Sequence, residues 1–177
     1  MAPHSRGKWA ALPLLAFLCA ACGAEPEDGG EQYRNILPFD TARVRVASRT
    51  DTATLIVELA ESREQQTLGL MERRALAEDA GMLFVYPGQQ PASAGFWMYR
   101  TRIPLDIAFV DDSGVIRAIR AMEPCAADRT AGCPTYEPGT PYRAALEVNR
   151  GYFARRGLGV GDRVLLQDTA TRRRGSD

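Results

Sequence analysis

The sequence predicts a mainly β protein, an antiparallel β-sandwich or flattened barrel with one or two short helices. Three observations support this. Apolar residues recur with period two through the middle of the chain, clusters of Gly, Asp, Ser and Thr separate the apolar runs, and a single helix signal interrupts them.

In order, Arg43-Val44-Arg45-Val46 alternates cleanly, and 54–59 follows after Arg49-Thr50-Asp51-Thr52, so the two segments are expected to form a hairpin. Ser62 with Gln65 three residues on reads as a capping box, opening a helix whose Leu68 and Met71 share a face. Residues 82–86, 96–99, 105–110 and 115–122 continue the strand pattern, with Asp112-Ser113-Gly114 as the turn between the last two. Residues 145–148 and 163–167 close the domain, and Gly161-Asp162 is another turn. The folded unit is expected at 41–168, of ordinary size and able to bury roughly two thirds of its unfolded surface. No internal repeat is visible, and 169–177 reads as a disordered basic tail.

The first residues read as an address. Arg6 and Lys8 precede a short apolar run over 9–18, and the small residues Ala20 and Ala21 precede Cys22, as an export signal at 1–21 requires. The run is too short to span a bilayer. Leu18-Cys19-Ala20-Ala21-Cys22 looks like a lipobox, although Cys19 stands where leucine is usual, so lipidation is expected at Cys22. The alternative is cleavage after Ala21 or Ala24 to give a soluble secreted protein. Gly23 after the cysteine implies outer-membrane rather than inner-membrane retention. Residues 22–40, rich in Glu, Asp and Gly, read as a flexible tether that would hold the domain off the membrane.

Removing the signal changes the chemistry on offer. His4 and Lys8 are the only His and Lys, so the exported chain would hold neither a histidine base or metal ligand nor a lysine Schiff base. The full chain balances 22 basic against 22 acidic residues, and losing Arg6 and Lys8 takes it to about minus two. No cofactor is expected, and nucleic acid is not an expected partner. Cys125 and Cys133 flank a loop with no strand pattern, and in an oxidising compartment a disulfide is the expected state. Closing so short a loop would contribute about 2.5 kcal/mol in the chain-entropy picture. A redox pair is the sharper alternative, but the spacing is not Cys-x-x-Cys.

Several motifs carry a family resemblance. Gly69-Leu70-Met71-Glu72-Arg73, Gly81-Met82-Leu83-Phe84, Phe96-Trp97-Met98-Tyr99-Arg100-Thr101, Pro104-Leu105-Asp106-Ile107-Ala108-Phe109, and Leu146-Glu147-Val148 before Gly151 stand in the order of the domain-of-unknown-function 192 family, which they resemble over nearly all of 44–166. The resemblance implies a mostly β fold of sandwich type, often exported, and no established activity. It also implies Asn where this chain has Arg100, so a binding role of that amide would here become charge recognition.

The candidate site follows from the alternation of 105–110. Leu105, Ile107 and Phe109 share one face, and Asp106 lies with Ala108 on the other, away from the bulky core side. With Arg73, Arg100 or Arg102 in reach, Asp106 would line a cleft together with Trp97 and Thr101; the competing reading is a structural ion pair or a carboxylate that caps turn amides. Trp97 and Tyr99 would stack on a ligand, or pack as core. Met71, Met82, Met98 and Met122 could bind Cu(I), or fill core gaps. Asp111 and Asp112 read as a turn rather than a calcium loop.

Three function classes follow. The first is an envelope-tethered binding module that recognises a small polar ligand or an envelope component through Arg73, Trp97, Arg100, Thr101 and Asp106. The second is a carboxylate-based hydrolase using Asp106 with Glu123 or Glu58. The third is a structural or assembly partner. The expected partners are a membrane, through the N-terminal lipid, and that ligand.

Overall fold

A computed structural model describes residues 37–125 and 130–170, with side chains placed up to residue 167. The chain is mostly β, as its alternation predicts. Among the described residues nine strands run β1 (Thr41–Ala47), β2 (Thr52–Ala60), β3 (Ala80–Gln90), β4 (Phe96–Trp97), β5 (Leu105–Val110), β6 (Ile116–Met122), β7 (Thr135–Tyr136), β8 (Tyr142–Asn149) and β9 (Arg163–Ala170). Two short helices interrupt them, α1 (Arg63–Leu68) and α2 (Tyr152–Arg155).

Seven strands form one sheet in the order β6-β5-β8-β3-β2-β1-β9, while β4 and β7 form a separate ribbon. The large sheet curls until its edges touch at one corner. There Ile116 donates to the Asp162 carbonyl (2.8 Å), Val164 to Gly114 (2.8 Å) and Gly161 to Ile116 (2.9 Å). Touching edges remove part of the unpaired rim that an open sheet would expose.

The β1–β2 hairpin forms as expected, with Arg43 opposite Ile56 and Val46 opposite Ala53. The Ser62 box also forms: Ser62 Oγ accepts from Gln65 N (3.2 Å) and Gln65 Oε1 accepts from Ser62 N (3.0 Å). One pairing departs from an all-antiparallel sheet. β2 and β3 are parallel, with Glu58 beside Met82, because the connection through α1 is long enough for a crossover.

Curling gives the central strands two covered faces. Inside the curl, Val44, Leu55, Val57, Ala108, Leu146 and Val148 pack with Tyr152 and Phe153 of α2. On the outer face, Met82, Phe84, Ile107, Phe109 and Ala145 are covered by Leu70, Met98 and Ile103 from the connecting segments. Every residue of β5 is consequently buried. The alternation of β5 is as predicted, but the Asp106 face is a second core rather than a solvent side.

The Cys125–Cys133 disulfide is formed, with Cα atoms 5.8 Å apart. It anchors the segment that follows β4: Arg100 N donates to the Cys125 carbonyl (2.9 Å) and Cys125 N to the Thr101 carbonyl (3.3 Å). Gly95 allows the ribbon to close, since a Cβ there would stand 2.6 Å from the Thr135 methyl and 3.0 Å from the Tyr136 carbonyl oxygen. Residues 38–40 are already tied to the domain, Pro38 by Gln65 Nε2 (2.8 Å) and Asp40 by Leu59 N (2.8 Å). The expected signal at 1–21, Cys22 and most of the tether lie outside the described residues, as do 171–177 of the tail, although β9 continues to Ala170. No helix among the described residues is long and apolar enough to cross a membrane.

Candidate functional site

A cleft of about 190 Å³ opens on the outer face between α1, the turn after it, and the segment around β4. Phe84 and Tyr86 from β3 and Phe96, Trp97 and Tyr99 from the β4 segment supply aromatic walls. Behind them the rings lock edge to face, Phe84 on Phe96 at 4.9 Å and Phe109 on Tyr142 at 5.0 Å, which fixes the walls before any ligand arrives. Gln66 of α1 holds the other side by donating to the carbonyls of Ala60 (3.3 Å) and Val85 (3.0 Å). Trp97 is 44% exposed at the mouth.

Glu147 lines this cleft from β8, between Met82 of β3 and Ile107 of β5 in register. It is 4% exposed, and no hydrogen bond reaches its carboxyl among the described residues. Burial pushes its pKa up to about 8, against a smaller downward pull from Arg73. At neutral pH it is therefore mainly a neutral acid, with a donor and an acceptor both unused. Thr101, also buried and lining the cleft, has a hydroxyl that makes no hydrogen bond among the described residues.

The expected site residues divide. Trp97 and Thr101 line the cleft. Arg73, 3% exposed, lies beneath it and closes a two-pronged ion pair on Glu58, its Nη1 3.0 Å from Oε1 and its Nη2 on Oε2. With both prongs engaged, its charge is largely spent on Glu58. Arg100 reaches sideways, its Nε 2.5 Å from Glu72 Oε1, while Arg102 binds the other Glu72 oxygen. Burial raises the Glu72 pKa, but Arg102 and Arg100 outweigh it and hold the carboxyl below its usual range. Arg100 also has φ +55°, a left-handed conformation in which Asn is favoured over most residues. The asparagine implied by the family resemblance thus has a backbone reason that needs no ligand.

Asp106 is not among the cleft residues. Its side chain points into the curl, where Oδ2 accepts from Gly151 N (2.8 Å) and Oδ1 stands 3.7 Å from Arg150 Nε. Burial raises its pKa, opposed by the Gly151 amide, Arg150 and Arg155. Gly151 has φ +76° and opens α2, so Asp106 fixes the turn that lays Tyr152 and Phe153 on the inner core. Arg150 also pairs with Glu123, so the two carboxylates considered for hydrolysis share one arginine, whereas Glu58 sits on the opposite face with Arg73. Met82, Met98 and Met122 are buried in the outer core and Met71 lines the cleft.

Sequence reasoning did not single out Glu147. The available signal was a lone acid within Ala144-Ala145-Leu146-Glu147-Val148, a strand otherwise apolar enough to be central.

The chain belongs to the DUF192 family, described as "Uncharacterized ACR", whose profile matches residues 44–166. Two solved structures share the fold and much of the sequence. One, from Sinorhizobium meliloti 1021 and provisionally described as a transcription regulator, is 34% identical at a TM-score of 0.66, over 72% of this chain and 95% of its own. The other, a protein of unknown function from Novosphingobium aromaticivorans DSM 12444, is 32% identical at 0.59, over 71% of this chain and 84% of its own. No curated protein matches the chain.

Proposed function

We propose that this protein is an envelope-tethered binding module and that the aromatic cleft over Glu147, rather than the surroundings of Asp106, receives the ligand. The observation that carries this reading is the Glu147 carboxyl, buried without a hydrogen bond and opening onto a preformed cleft. The carboxyl oxygens are not wholly enclosed, so a ligand group seated there exchanges a water contact for a direct hydrogen bond, a net gain of about 0.5–1.5 kcal/mol. The volume, about 190 Å³, is close to the ~150 Å³ that admits a single aromatic ring, so the bound part of the ligand is ring-sized.

The envelope address rests on the export signal and on Cys22 as lipid attachment site, with the tether at 22–40 as spacer. Transcriptional regulation, the provisional description of the Sinorhizobium relative, is not adopted. A chain with zero formal net charge offers little of the counterion release that drives nucleic-acid binding.

Ligand-observed NMR with ring-bearing fragments tests the cleft. Fragments should bind the full chain and lose binding in Met71→Trp, which fills the mouth with an indole. Absence of binding, or binding indifferent to Met71→Trp, overturns the reading. Radiolabelled palmitate incorporation, lost in Cys22→Ala, tests the anchor.

A further inference from the structure

We infer that the cleft selects an organic cation: a primary ammonium group on a ring-sized apolar body, the nitrogen seated on Glu147 and Thr101 and the body held between Trp97, Tyr99 and Phe96. This deepens the binding-module reading and rests on it.

The argument is one of charge and quadrupole. An aromatic wall that presents its π-face attracts a cation and repels an anion, while a ring edge, partly positive, does the reverse, so the acid at the cleft wall decides the sign. Among the buried residues lining the cleft are a carboxyl, Glu147, and a hydroxyl, Thr101, neither hydrogen-bonded within the described residues. An ammonium offers three donors and no acceptor, which matches that set of acceptors. A carboxylate or phosphate ligand would instead set a second acid against Glu147. The nearby cations do not reverse this. Arg73 is held by both oxygens of Glu58, and Arg63, on α1 at the rim, meets solvent.

The groups around Glu147 define the pH response. Arg73 acts on it from the turn after α1, with Glu58 of β2 beyond it in ion pair with that arginine; Tyr86 from β3 bears on it electrostatically and stays protonated, and Arg63, Tyr99 and Thr101 line the same cleft. When the ammonium enters, the carboxyl gives its proton to solvent and the bound cation replaces it. Affinity should therefore rise about tenfold per pH unit below the Glu147 pKa of about 8 and level off above it.

The test uses benzylammonium, benzyl alcohol and benzoate as probes of one size and three charges, with the full chain, by isothermal calorimetry from pH 5 to pH 9. Benzylammonium is expected to bind tightest, to release about one proton near pH 6 in buffers of differing ionisation enthalpy, and to gain affinity as pH rises. Glu147→Gln should lower benzylammonium affinity at least tenfold at pH 8 and flatten its pH slope. Should that variant not fold, the wild-type proton release and pH slope decide alone. If benzyl alcohol or benzoate binds better than benzylammonium, or affinity falls with rising pH, the cation proposal is overturned while the cleft stands. If none of the three binds, both readings fall together.

Discussion

Substituting Glu147 by Gln should reshape the pH dependence of stability, and the structure supplies the magnitude. Glu147 is raised from the usual 4.5 to about 8 by burial in the folded state. An acid whose folded pKa is raised contributes its stability fully below 4.5, loses it progressively as pH climbs, and has lost it once pH passes 8. At about 1.4 kcal/mol per unit, the wild type should lose roughly 5 kcal/mol relative to Glu147→Gln between those limits. Gln is nearly the same size and carries no charge, so the two proteins should be within about 1 kcal/mol of each other near pH 4.5. Near pH 8 the variant should be the more stable by several kcal/mol, a large fraction of a domain's whole stability. Urea denaturation at a series of pH values, disulfide intact, reads the difference directly. Parallel curves for wild type and variant would refute the claim that Glu147 is neutral in the native state, and with it the hydrogen-bonding role given to that carboxyl.

Four further outcomes are expected. Removing the disulfide with Cys125→Ser and Cys133→Ser should cost about 2.5 kcal/mol in urea and loosen the wall at Arg100 and Thr101, seen as faster amide exchange there; exchange unchanged at those residues would separate the loop from the cleft. Arg73→Met should destabilise by about 3 kcal/mol, because the two-pronged ion pair it makes with partly buried Glu58 is lost; a loss under 1 kcal/mol would show that ion pair to be dispensable. Arg100→Asn should leave the melting temperature within a few degrees, the backbone gain at φ +55° offsetting a half-exposed ion pair with Glu72, whereas Arg100→Val should cost about 1–2 kcal/mol. Asp106→Ala should cost about 1–3 kcal/mol by freeing the Gly151 amide, yet leave benzyl alcohol affinity unchanged; an affinity change with intact stability would return Asp106 to the binding site.

Local signals in the sequence were legible where their causes are local. The Ser62–Gln65 box depends on four consecutive residues, the β1–β2 hairpin on alternation across a short turn, and both appear as expected. Period two also assigned the faces of β5 correctly, with Leu105, Ile107 and Phe109 together in the outer core. What alternation does not encode is which faces end up covered. That depends on the parallel placement of β3 beside β2 and on β8 inserting between β3 and β5, neither of which is written in any single window. The same limit hid Glu147, whose isolation follows from having apolar Met82 and Ile107 as its strand neighbours. Arg100 was legible as a departure from the family pattern, but its positive φ emerges only from the turn it makes between Met98 and Cys125.

Asp106 and Glu147 together show what separates a structural carboxylate from one available to a ligand. Both lie on central strands and both have their pKa raised by burial. Asp106 faces the inner core at the end of its strand, where the chain turns sharply and offers a free N–H from Gly151 and a guanidinium from Arg150. Glu147 faces the outer core nearer mid-strand, where every adjacent backbone amide is already committed to the sheet ladder and Arg73 is occupied by Glu58. Position along the strand thus decides satisfaction: a carboxylate near a turn finds spare donors, and one in the body of a ladder finds none. A mid-strand acid persists without loss of fold only if its proton stays on or a partner comes from outside. The cleft beside Glu147 gives such a partner a way in, whereas the Asp106 carboxyl is already held by the Gly151 amide that opens α2.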